Sequence, residues 1–243
     1  MRLKYIAFIV SILIALFCAC STAEISPSPD LLQYVRADSS ADFPSYTAPG
    51  IRIWGWAQNG RFAYSSARSV PGSGGMSVEF VVFDFIDDKQ IFKLKMNDYL
   101  YGFDPASEDW KTAPESLYAK YSGQINAALA KHGIVEQQVK FLPFPLSKDG
   151  AVYAASVQVT RRDSQAGFNP IQDYNIVVTK NNEKSRIITS RNTAYVEAVA
   201  VCGYFLSPFE NRALVVIACA YFGLSQTSSI EYTFSGCHLD IGF

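Results

Sequence analysis

Ile51-Arg52-Ile53-Trp54-Gly55-Trp56-Ala57 is followed by Gln58-Asn59-Gly60 and then by Arg61-Phe62-Ala63-Tyr64-Ser65-Ser66-Ala67. Two short runs of β-branched and aromatic residues joined through Asn-Gly are a strong local signal for a β-hairpin, because Asn and Gly accept the positive φ angles that tight hairpin turns need. Pro71-Gly72-Ser73-Gly74-Gly75 reads as the next hairpin loop. It could offer amides to an anion, but no helix and no well-placed Lys follow it. Residues 76–86 then set Val78, Phe80 and Val82 on one face and Val81, Phe83 and Phe85 on the other, which predicts a strand in the middle of a sheet. Asp87-Asp88 turns the chain into residues 89–95, where Phe92 and Leu94 alternate with Lys93 and Lys95 as on an edge strand.

One helix is expected among these strands. Thr112-Ala113-Pro114-Glu115 has capping-box spacing, Leu117, Tyr121, Ile125, Ala128 and His132 recur at steps of three or four, and Gly133 stands where a helix commonly stops. The strands resume with a turn at Lys148-Asp149-Gly150 and runs at 151–159, 174–179, 186–189, 195–206, 213–222 and 230–234. Leu214-Val215-Val216-Ile217-Ala218-Cys219-Ala220 is apolar on both faces and too short for a membrane helix, so it reads as a central strand.

Three stretches share a plan of turn, long strand, hairpin and second strand, beginning near Asn59, Asp149 and Glu210 at uneven intervals. Propellers typically carry at least four blades. The expected fold is therefore α+β: a mostly antiparallel β meander, as an open sheet or sandwich, with one packed helix. A degenerate β-propeller is the alternative.

The N-terminus is organised differently. Arg2 and Lys4 precede a run from Ile6 to Phe17 that is shorter than the roughly 20 residues of a spanning helix, and small and polar residues follow. Residues 1–19 thus read as a signal peptide. Phe17-Cys18-Ala19-Cys20 resembles the box cut before the lipid-modified cysteine of bacterial lipoproteins, whereas Ser21-Thr22-Ala23 has the form of an ordinary cleavage site ahead of Glu24. The first reading makes Cys20 the attachment point for acyl chains such as palmitate, holding the protein on a membrane of the cell envelope. The second gives a soluble periplasmic or secreted protein. Residues 20–50, rich in Ser, Ala, Pro and Asp, are expected to be a tether, and residues 51–243 a single β-rich domain.

The chain of 243 residues is 49% apolar, with a formal charge of −1, and without Arg2 and Lys4 the balance is 19 bases against 22 acids. That balance argues against nucleic acid as a partner.

Trp54-Gly55-Trp56-Ala57-Gln58-Asn59-Gly60-Arg61-Phe62-Ala63-Tyr64 resembles the blade opening of Tol-B-type repeats. With Val81-Val82-Phe83-Asp84-Phe85, the helix ending near Gly133-Ile134, and residues 203–212 before an apolar strand, the layout resembles a group of predicted secreted bacterial proteins of unknown function, envelope lipoproteins among them. The resemblance spans about residues 51–243. It implies export and a single domain, and brings no catalytic residue with it.

The chemistry-bearing residues are sparse. The two histidines, His132 and His238, have no metal-ligand spacing, and no catalytic, cofactor-binding or metal-ligating residue is assigned. Cys237-His238 could be a nucleophile and base, but adjacent strand residues point to opposite faces. Asp84, Asp87 and Asp88 lack the Gly-punctuated spacing of a calcium loop. Cys202, Cys219 and Cys237 are an odd number of thiols. With turns near Phe209 and Gln226, Cys202 and Cys237 are expected in one row on either side of Val216. Two strand spacings put them roughly 9–10 Å apart, which favours buried free thiols over a bridge. Arg161-Arg162 reads as a solvated strand end. The aromatic connection carrying Tyr99, Tyr101, Phe103 and Trp110 beside acids is the candidate ligand surface, for a glycan or an extended peptide, although such rings more commonly pack a loop onto its sheet.

The expected function is that of an exported, lipid-anchored cell-envelope protein that binds or scaffolds, with an envelope protein or glycan as partner and no cofactor. The alternatives are a glycan- or peptide-binding module, and a hydrolase whose carboxylates converge only in the fold.

Overall fold

The computed structural model describes residues 30–37, 49–70, 75–98, 113–162, 170–221 and 229–243. Four strands, β1 (Gly50–Ala57), β2 (Arg61–Val70), β3 (Gly75–Asp84) and β4 (Lys89–Asp98), form an antiparallel meander in sequence order. The Asn-Gly hairpin joins β1 to β2. As the two-faced apolar pattern predicts, β3 lies inside the sheet, with Val78, Phe80 and Val82 on one side and Phe83 and Phe85 on the other. The lysine-bearing β4 is an edge.

A bulge in β1 re-aims its tryptophans. Ile53 pairs with Tyr64 but Gly55 pairs with Ala63, so Trp54 is an extra residue and points to the side opposite Trp56. Gly55 is at φ +147°, and a Cβ there would sit 2.2 Å from the carbonyl oxygen of Val135. That close approach lets Trp56 and Val135 exchange two backbone hydrogen bonds of 2.9 Å, which cover the edge of β1.

The expected helix is divided into α2 (Ala113–Lys120) and α3 (Ser122–His132), preceded in the chain by a short α1 (Gln33–Ala37). The break is at Tyr121, at φ −100° and ψ 10°, followed by Ser122-Gly123, two weak helix formers that periodicity alone does not register. Gly133 ends α3 as expected, with Ile134 N donating to Leu129 O. Leu117, Ile125 and Ala128 from the predicted stripe are buried on the sheet, while Tyr121 and His132 lie at its margin.

The remaining strands are β5 (Phe141–Leu142), β6 (Leu146–Lys148), β7 (Ala151–Arg161), β8 (Ile171–Lys180), β9 (Lys184–Leu206), β10 (Arg212–Tyr221) and β11 (Ser229–His238). They form a second antiparallel sheet in the order β11-β10-β9-β8-β7-β6, with β5 added to β9. The two runs expected at 186–189 and 195–206 are one 23-residue strand. Residues 184–192 of β9 pair with β8 and residues 196–206 with β10, with Val196 opposite both Ile171 and Tyr221 and irregularities at the change of partner. The sheet bends there into two limbs whose facing sides share a core: Tyr153, Tyr174, Ile176 and Val178 meet Val215, Ile217, Cys219 and Leu239. Hydrogen bonds cross between the limbs from Tyr153 Oη to Leu239 O (2.7 Å) and from Ser235 Oγ to Ile188 O (3.0 Å).

The layers therefore run from helices α2 and α3, to the four-stranded sheet, to the β10–β11 limb, to the β7–β8 limb. Three apolar cores separate them. As predicted, β10 is buried on both sides, with Leu214, Val216 and Ala218 toward the first sheet and Val215, Ile217 and Cys219 toward the other limb. The fold is the antiparallel α+β meander that the pattern implies. Neither sheet is closed, and a bent seven-stranded sheet is not a four-stranded propeller blade. Of the stretch expected to be a tether, Leu31, Leu32 and Val35 are buried and join the core between the two sheets.

Candidate functional site

Cys20 and the candidate ligand surface of Tyr99, Tyr101, Phe103 and Trp110 lie outside the described residues. The flanks of the aromatic segment are placed: β4 ends at Asp98 and α2 begins at Ala113. Where α2 packs on the sheet is the richest polar and aromatic cluster of the described residues. The Arg52 guanidinium lies 4.2 Å from the ring centroid of Trp54 and 5.1 Å from that of Tyr118, and it donates to both carboxylate oxygens of Glu115 at 3.1 and 2.9 Å. Trp54 Nε1 donates to Ser65 Oγ at 3.0 Å, and Ser65 Oγ and Tyr118 Oη share a hydrogen bond of 2.7 Å.

The five members are held by three elements. Arg52 comes from β1 just before its bulge and Trp54 is the bulge residue itself, Ser65 comes from β2, and Glu115 and Tyr118 from successive turns of α2. Burial raises the Tyr118 phenol above its ordinary range, more than the Ser65 hydrogen bond and the Arg52 charge lower it. Every polar group of the cluster named above is engaged by another, so the arrangement stacks and clamps the helix. Glu115 reaches to Arg52, a contact across 63 positions that local spacing cannot reveal, while Thr112, the other half of the expected capping box, lies outside the described residues.

A second polar junction ties the sheets together. Asp88, in the β3–β4 turn at φ +50°, accepts from Gly236 N at 2.6 Å through Oδ1 and from Ser235 Oγ at 3.0 Å through Oδ2. Loss of hydration against β11 raises its carboxyl above the usual range, outweighing these bonds and the nearby Arg186 and Arg191 charges. Asp84 closes its own turn by accepting from Ile86 N and Asp87 N, and Asp87 pairs with Lys89. The three carboxylates thus have three separate structural tasks. Among the described residues no group of three His, Cys, Asp or Glu side chains could hold a metal ion.

The three described cysteines are buried and free. The expectation that Cys202 and Cys237 share one row is corrected. Cys237 pairs with Ala213, itself opposite Leu206, whereas Cys202 is the extra residue where Val216 pairs with Gly203 and Ile217 with Val201. Cys202 faces the first sheet, and Cys219 and Cys237 face the other limb. Burial pushes all three thiols up, Cys237 to about 11, which works against thiolate formation. His238 turns its Nδ1 to the amides of Asp240 and Ile241, away from the Cys237 side of the sheet. Arg161 and Arg162 are exposed, as a solvated strand end requires, and reach the carbonyls of Glu197 and Thr193.

Among the described residues no helix is long and apolar enough to cross a membrane. No family model matches the chain, and no curated protein matches it.

Proposed function

We propose that the chain is an exported cell-envelope protein, anchored by acyl chains on Cys20, whose β-rich domain works by binding or scaffolding. The observation that carries this reading is the N-terminal pattern itself: Arg2 and Lys4, an apolar run too short to span, and Ala19-Cys20 ahead of a polar stretch. The packing of Leu31, Leu32 and Val35 supports a close attachment. Nine residues, 21–29, lie between Cys20 and Asp30, where the described residues begin. Fully extended, such a link reaches about 35 Å at most.

The non-catalytic part of the reading is supported by how the polar groups are spent. Arg52, Glu115, Tyr118 and Asp88 are occupied with one another or with the backbone, and the cysteines are held as thiols. Cross-linking intact cells and capturing the chain with its native N-terminus tests this. A stoichiometric envelope protein in the captured material is expected. Its absence, together with turnover of a glycan or peptide by the purified chain, would overturn the reading.

A further inference from the structure

The second sheet runs out at β7. On one side β8 pairs along almost its whole length, but on the other β6 covers only Ala151, Val152 and Tyr153. Among the described residues no strand lies beside the outer edge of residues 154–160. That edge reads Ala154-Ala155-Ser156-Val157-Gln158-Val159-Thr160, with no charge or proline. Those are the usual devices that keep an open edge from pairing. The outer strand of the other sheet has them: β4 carries Lys89, Lys93 and Lys95. Val159 is also 45% exposed, although alternation puts it on the side of Tyr153, Ala155 and Val157, which face the core.

We propose that this edge is a self-association surface, on which residues 154–160 of two copies pair antiparallel about a two-fold axis. With the axis at Val157, Ala155 stands opposite Val159 of the other copy and Val157 opposite itself, so the apolar row continues across the junction. On the outer side Ser156 meets Gln158 and Ala154 meets Thr160. No like charges are brought together, whereas the same operation on β4, about Leu94, sets Lys93 against Lys95 of the other copy. The occupant argued for is a second copy because the edge is complementary to itself on both faces, as an isologous interface must be. A pairing of this length is at the small end of specific interfaces, so micromolar association is expected.

Cysteine pairing in cells expressing the full chain tests the register. In the Ser156→Cys, Gln158→Cys double variant each new thiol faces its counterpart, and mild oxidation is expected to give a covalent dimer. Each single variant is expected to stay monomeric, since 156 faces 158 and not itself. The buried native thiols, raised by burial, compete poorly. No dimer from the double variant, equal cross-linking of the singles, or linkage only to other proteins overturns the proposal. Sedimentation of the detergent-extracted chain provides a second measurement. Its mass is expected to rise from one to two copies with concentration, and the Ser156→Lys, Gln158→Lys variant to stay at one copy with an unchanged circular dichroism spectrum. A chain without the substitutions that is monomeric throughout also overturns it.

Discussion

At the scale of single residues, the fold depends on a few places where backbone passes against backbone. Gly236 is the tightest: a Cβ there would lie 1.7 Å from the carbonyl oxygen of Phe85, where the first sheet's turn meets β11. Neither partner is a flexible side chain that can give way. Gly236→Ala is expected to cost at least about 3 kcal/mol, the range of overpacking and of lost buried bonds combined. Urea unfolding measures it, and a loss under about 1 kcal/mol would mean that the two sheets slide apart easily. The same junction makes Asp88 sensitive to pH. Its folded-state carboxyl is raised, so its contribution to stability is fullest below the unfolded value and is lost as pH rises through the folded one. The stability difference between the chain with Asp88 and Asp88→Asn is therefore expected to move against Asp88 as pH rises through the carboxylate range, then level off. A difference moving the other way would show that the Gly236 and Ser235 hydrogen bonds outweigh the loss of hydration.

At the scale of elements, local chemistry was legible and partner choice was not. The β1–β2 hairpin, the two-sided β3, the end of the helix at Gly133 and the double burial of β10 each follow from turn residues or periodicity within a few positions. Cys202 and Cys237 do not share a row because Cys237 pairs with Ala213, three positions from Val216, and an odd shift in register exchanges the faces of a strand, whereas Cys202 keeps the Val216 side as the extra residue of a bulge. β9 read as two strands because its polar middle looks like a loop, yet that is where it passes from one sheet limb to the other. None of the Arg52 cluster was visible, since its members come from three elements. The helices show which contacts matter. Leu117→Ala or Ile125→Ala is expected to cost about 2–5 kcal/mol, as for other fully buried aliphatic side chains. Glu115→Gln is expected to cost under about 1 kcal/mol, because the Arg52 pair is partly exposed. Thermal and urea unfolding of the three variants checks the order. A larger loss from Glu115→Gln than from Ile125→Ala would make the cation, rather than the apolar stripe, the main fastening of the helices.

At the scale of the whole molecule, the four stacked layers of the described residues leave an open, uncharged edge at β7 and take up Leu31, Leu32 and Val35 at the inter-sheet core. The composition of residues 20–50 concealed this second feature, because two leucines and a valine in a Ser- and Pro-rich stretch give too short a pattern to register as periodic. In the proposed anchoring, residues 21–29 are the stretch between Cys20 and the first described residue. The central claim is tested most directly by extracting the chain from cells and weighing its N-terminal peptide by mass spectrometry. The account predicts a peptide that begins at Cys20 and carries the added mass of acyl chains. A peptide beginning at unmodified Glu24, or one that retains Met1, would contradict it.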